Sequence, residues 1–228
     1  MTRTLSTDEQ KEAIEAAFRS AFGPGAGAAL GRMRHVDRVY ELRCLLQLID
    51  KLSARQPYLR FVLSSGSDVM LRSKGGPIDR NADACVEVQN AGGAVLAELW
   101  SNVEFWALSY VRSGRPMFSG PTYARAHELD LVLLSPGVTG RPTPDDILIG
   151  VEAKHRPYGK SLLKELLGIR REMTFRGPPR SNPWQWWSPV GLQAKPPSGL
   201  VSWCAYPSVT HYTQASDYYG ILMEHLPL

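Results

Sequence analysis

Apolar residues recur at helical spacing early in the chain and at strand spacing through its middle, and the two patterns mix toward its end. Residues 7–22 (TDEQKEAIEAAFRSAF) predict a short amphipathic helix. Residues 34–53 (RHVDRVYELRCLLQLIDKLS) predict a stronger one, with Leu45, Leu48 and Leu52 on one side. GPGAGAALG (23–31) lies between them and reads as a hinge or linker. β-Branched and aromatic residues then dominate YLRFVLS, ACVEVQN and AVLAELW, and AGG (91–93) predicts a hairpin turn between the last two. HELDLVLLS (127–135) and DILIGVEAK (146–154) are two more strands, joined as a hairpin by the long loop PGVTGRPTPD. KSLLKELLGIRREMTF (160–175) predicts a helix, LVSWCAY (200–206) a strand and TQASDYYGILMEHL (213–226) a closing helix. This order implies an α/β fold, with a helical arm and linker over residues 1–31 and a main domain over 32–228.

Polar residues that break these patterns mark the candidate chemistry. Glu41 falls in the middle of the apolar arc of its helix, where a carboxylate costs several kcal/mol unless paired. It calls for an ion pair at the core edge or a role in a site. In the strand ending GVEAK, Glu152 and Lys154 share one face, and in the preceding strand so do Glu128 and Asp130. Pairing the two strands can bring Asp130 beside Glu152, so that three carboxylates and one amine stand on one side of an otherwise apolar sheet. Neighbouring acids repel unless a cation lies between them. Oxygen ligands on a rigid sheet, with positions left for water and phosphate, suit Mg²⁺ or Mn²⁺.

Composition narrows the field without deciding it. The chain has 228 residues, 43% hydrophobic and 21% charged, with a formal charge of +4. That is an ordinary domain whose mild basicity permits a polyanionic partner. Cys44, Cys85 and Cys204 stand apart in apolar surroundings and read as core thiols of a reducing compartment. Neither a membrane-length apolar run nor a secretory h-region is present, so the expected location is cytoplasmic. Phosphate-loop and dinucleotide-binding motifs are missing, as are Ser and Cys nucleophile motifs.

LD (129–130), a hairpin loop, and VEAK (151–154) followed by a helix resemble the PD-(D/E)XK nuclease superfamily, the restriction-endonuclease-like fold. The resemblance spans roughly residues 34–226. It implies a core of helix, β-meander within a mixed sheet, helix and strand, here with an N-terminal helical extension. It also implies that Asp130, Glu152 and the carbonyl of Ala153 hold Mg²⁺ or Mn²⁺. Lys154 would orient or help deprotonate the attacking water and stabilise charge on the phosphorane. Glu41 matches the glutamate that many branches place on the first core helix near the metal. No Q-x-x-x-Y follows Lys154, which separates the chain from the exonuclease branch marked by that motif.

Helical spacing groups Lys160, Lys164 and Arg171 in one narrow arc, where a phosphate backbone could lie or where the helix simply meets solvent. Arg170 falls toward the apolar arc and needs an acid or phosphate partner, so it could brace the site acids. Glu128 and His155 are the next candidates, the first as a strand-edge neighbour of the site, the second as a turn residue more often than a base. Arg176 and Arg180 beside Trp184, Trp186 and Trp187 either stack on bases or close the core. The expectation is a metal-dependent nuclease acting on DNA, an endonuclease before an exonuclease, in restriction or phage defence. The rival is a catalytically weak nucleic-acid-binding or protein-interaction module of the same fold. The arm is expected to pack on the body or to dock a second copy or a partner protein, and no membrane partner is expected.

Overall fold

Helix α1 (Thr7–Phe22) and helix α2 (Val36–Arg55) open the fold. The seven strands of the main sheet follow: β1 (Arg60–Leu63), β2 (Val86–Gln89), β3 (Val95–Trp106), β4 (Ala126–Leu134), β5 (Ile147–Lys154), β6 (Gly199–Cys204) and β7 (Ile221–His225). Helix α3 (Leu108–Arg112) follows β3, α4 (Lys160–Met173) follows β5, and α5 (Thr213–Tyr218) precedes β7. This computed structural model describes residues 7–23, 27–28, 36–65, 68–69, 71–72, 74–114, 125–176 and 194–228. Most of the glycine-rich stretch, Arg180 and the three tryptophans Trp184, Trp186 and Trp187 lie outside the described residues.

All seven strands form one mixed sheet in chain order, β1 at one edge and β7 at the other. The four pairs from β1 to β5 are antiparallel and need no crossover; Gly93, at φ 83°, closes the β2–β3 hairpin. The β5–β6 and β6–β7 pairs are parallel and need crossovers. Helix α4 makes the first and the segment carrying α5 makes the second.

Helices cover both faces. Ile14 and Phe18 of α1 and Tyr40, Leu45, Leu48 and Leu52 of α2 pack on Leu99, Leu131, Leu133, Val151 and Trp203. Leu162, Leu166, Ile169 and Met173 of α4 pack on Trp100, Val132, Leu200 and Ile221. Strands β4 and β5 are therefore buried from both sides, which explains their near-continuous apolar runs. Gly150 sits where they meet α4: a Cβ there would lie 2.9 Å from Leu129 and 3.1 Å from Met173. Helix α1, expected as an arm, contributes its apolar face to the first core.

The closing helix expected over 213–226 is corrected. It stops at Tyr218, Gly220 takes φ 67°, and Ile221–His225 joins β6 as a strand. The physical reason is the free parallel edge of β6, which the main chain of residues 221–225 satisfies while burying Ile221 and Met223.

Strict alternation also fails at one level of the sheet. Ala97 and Leu99 of β3 belong to the first core, yet Val103 and Phe105 belong to the second. In β4 Leu131 and Leu133 belong to the first core and Leu129 to the second. Both strands change sides between the ladder pairs Ser101–Leu131 and Val103–Leu129, at Asn102 and Asp130. Asn102 has φ 49°, a left-handed conformation unusual for any residue but glycine.

Candidate active site

The change of side places Asp130 where β4 and β5 part. Their ladder runs as far as Leu131 opposite Val151. One step beyond, the Asp130 carboxylate accepts the Ala153 N–H at 2.7 Å. On β5 the Lys154 ammonium lies 2.6 Å from the Glu152 carboxylate and 3.8 Å from that of Asp130. From α4, Glu165 approaches the same ammonium to 3.6 Å. From α2, Glu41 accepts from Arg38 at 2.6 Å and from the Asn102 side-chain amide at 3.4 Å.

Burial sets the electrostatics. Glu152 is 3% exposed. Its pKa is pushed up to about 8, first by burial and then by repulsion from Asp130, with Lys154 pulling it back. Burial also holds Asp130 above the usual carboxylate range, against the pull of Lys154 and the Ala153 N–H. Glu41 is raised for the same first reason, with the charge of Asp130 adding to it and Arg38 opposing. For Lys154 burial favours the neutral amine, but Glu152 and Asp130 outweigh it and keep the ammonium charged beyond its usual range. Four carboxylates thus gather around two cations, Lys154 and Arg38.

Among the described residues no group of three or more His, Cys, Asp and Glu side chains is arranged to hold a metal ion by itself. Two neighbouring carboxyl groups that repel each other when ionised do fit Mg²⁺ or Mn²⁺, which favour the ionised form, take one or two carboxylates and complete their shell with water and phosphate oxygens. Ser202, level with Glu152 on β6, has a buried hydroxyl that interacts with the buried hydroxyl of Tyr158.

Of the residues expected in the site, Asp130, Glu152, Lys154, Glu41 and the main chain of Ala153 come together. Lys160, Lys164 and Arg171 are exposed on the outer face of α4. Glu128 borders the site: it stands opposite Glu104, packs against Gly75, and has its proton affinity raised by burial and then by Asp130. The expectation for Arg170 is corrected. It is buried, but it donates to the carbonyls of Tyr219 (3.0 Å) and Ser198 (2.8 Å), tying α4 to the β6–β7 region rather than to the acids. Its partners are main-chain dipoles brought in by the closing strand, which the helical pattern of α4 cannot announce. His155 is also away from the acids: its ring packs between Tyr40 and Tyr206 and lies 3.8 Å from Asp37.

Glu165, Arg38 and Asn102 belong to the site and were not anticipated. Arg38 stands three residues before Glu41, a readable helical pair. Glu165 is indistinguishable in sequence from any solvated helix position, and Asn102 from any polar residue in a strand. The described residues include no helix long and apolar enough to cross a membrane. Set against known protein families, curated proteins and solved structures, the chain matches none of them.

Proposed function

We propose that the protein is a divalent-metal-dependent nuclease of the PD-(D/E)XK, restriction-endonuclease-like type, cutting DNA internally. The observation that carries this reading is the convergence of Asp130, Glu152 and a charged Lys154 where two adjacent strands part. The order of helix, meander, helix and strand supports the finer fold assignment. Asp130, Glu152 and the Ala153 carbonyl would hold Mg²⁺ or Mn²⁺, which supplies Lewis acidity and lowers the pKa of bound water.

The remaining chemistry belongs to the chain. Hydrolysis joins a water oxygen to phosphorus and breaks a P–O bond to one sugar, leaving a phosphate monoester and a hydroxyl. Lys154, beside Glu152 and Asp130, would orient the attacking water or help deprotonate it and offset charge on the phosphorane. The exposed arc of Lys160, Lys164 and Arg171 provides phosphate contacts beyond the reacting centre. Cutting both strands of a duplex calls for two sites and hence for a homodimer or a partner; the mass of the full chain in solution tests this.

One observation favours a second reading, a nucleic-acid-binding module with a weak site. Lys154 at 2.6 Å already neutralises part of the charge that would draw a cation. The test is nicking of supercoiled plasmid and of single-stranded oligonucleotides with EDTA, Mg²⁺ or Mn²⁺. Wild type is compared with Asp130→Ala and Lys154→Ala. Metal-dependent nicking lost in both variants supports the nuclease. Binding without cleavage under either metal supports the module.

A further inference from the structure

Asn102 occupies a strained position on the sheet, and its side chain spans two elements of the site. It is 3% exposed and lies level with Asp130, at the point where β3 and β4 change sides. Its carboxamide donates to the Arg72 main-chain carbonyl at 3.0 Å and to Glu41 at 3.4 Å, while the main-chain carbonyl of Asn102 accepts from the Arg72 guanidinium at 2.9 Å. Glycine would adopt φ 49° with less strain. Strain of this kind persists where the surroundings enforce it, and it clusters at functional sites.

We propose that Asn102 is a positioning residue that fixes Glu41 beside Asp130, setting the separation of the acid on α2 from the acids on the sheet. The proposal rests on reading Asp130 and Glu152 as a cation site, and the experiment separates the two. The backbone alone would be served fully by Asn102→Gly, whereas Asn102→Ala would lose stability through its φ. The side chain's reach to Glu41 is absent from both. Mn²⁺ binding by the purified full chain, followed by electron paramagnetic resonance, is the first readout, beside thermal unfolding. The expected result is a Gly variant that unfolds at a higher midpoint than the Ala variant but binds Mn²⁺ roughly 10–100-fold more weakly than wild type, the usual effect of removing a group that orients a metal ligand. Wild-type affinity in the Gly variant would overturn the proposal.

The second readout needs no metal. In EDTA, a double-mutant cycle pairs Asn102→Gly with Glu41→Ala in urea unfolding. Non-additive effects support the link between the two side chains, and additive effects overturn it. If wild type binds no Mn²⁺ while the cycle is non-additive, the positioning role stands and the metal reading fails.

Discussion

Replacing Glu152 with glutamine keeps the side chain's shape and an acceptor for Lys154 while removing a buried charge. Glu152 keeps its proton up to about pH 8 in the fold, against an ordinary value of 4.5. Its folded pKa is raised, so it destabilises the protein as pH rises. Below about 4.5 the carboxyl is protonated in both states and adds no pH dependence. Between there and about pH 8 the unfolded chain releases the proton and the folded chain retains it. Wild-type stability then falls by at most about 5 kcal/mol, at roughly 1.4 kcal/mol per pH unit. The pull of the Lys154 ammonium at 2.6 Å is already contained in that raised value. Glutamine does not titrate. The stability difference, variant minus wild type, should therefore rise by roughly 2–4 kcal/mol between pH about 5 and about 8.5. That corresponds to about 5–15 °C in unfolding midpoint for a chain of this size. The assay is thermal unfolding by circular dichroism in EDTA at both pH values. An equal midpoint difference at the two would refute the reasoning, because it would mean that Glu152 is ionised throughout and fully compensated by Lys154.

Other substitutions probe the frame that holds the site. Gly150→Ala puts a methyl group 2.9 Å from Leu129 and 3.1 Å from Met173, both fully packed, and should cost about 1–3 kcal/mol in urea unfolding. An unchanged midpoint would show that α4 has room to move there. Phe18→Ala should cost about 3–5 kcal/mol, since the ring is completely buried in the first core; no loss would show that α1 adds nothing to that core. Arg80→Leu removes the guanidinium from the buried Glu98, which keeps only the Gly137 and Trp100 N–H groups. With Arg80 37% exposed, a loss of about 1–3 kcal/mol in urea unfolding is expected, and an unchanged midpoint would show that the two N–H groups satisfy Glu98 without the guanidinium.

Local pattern carried most of the frame. The periodicity of residues 34–53 and 160–175 and the apolar runs around Asp130 and Glu152 match α2, α4, β4 and β5 closely. Glu41, Glu152 and Lys154 were visible because each breaks an apolar pattern, and a buried charge is seldom kept without a partner. Those signals lie within single elements, where side-chain direction follows from a period of 3.6 or 2. Other features depend on neighbours far along the chain. Residues 221–225 become a strand because β6 offers an open edge, and Arg170 finds carbonyls because that strand brings Tyr219 within reach. Asn102 and Asp130 turn both strands over at one level, which no alternation rule anticipates, and Glu165 arrives from a helix that crosses back over the sheet. Periodicity specifies which side chains leave water. Which carboxylates then become neighbours is set by ladder register and helix crossing, and these are decided only when every buried main-chain group and apolar face is satisfied at once.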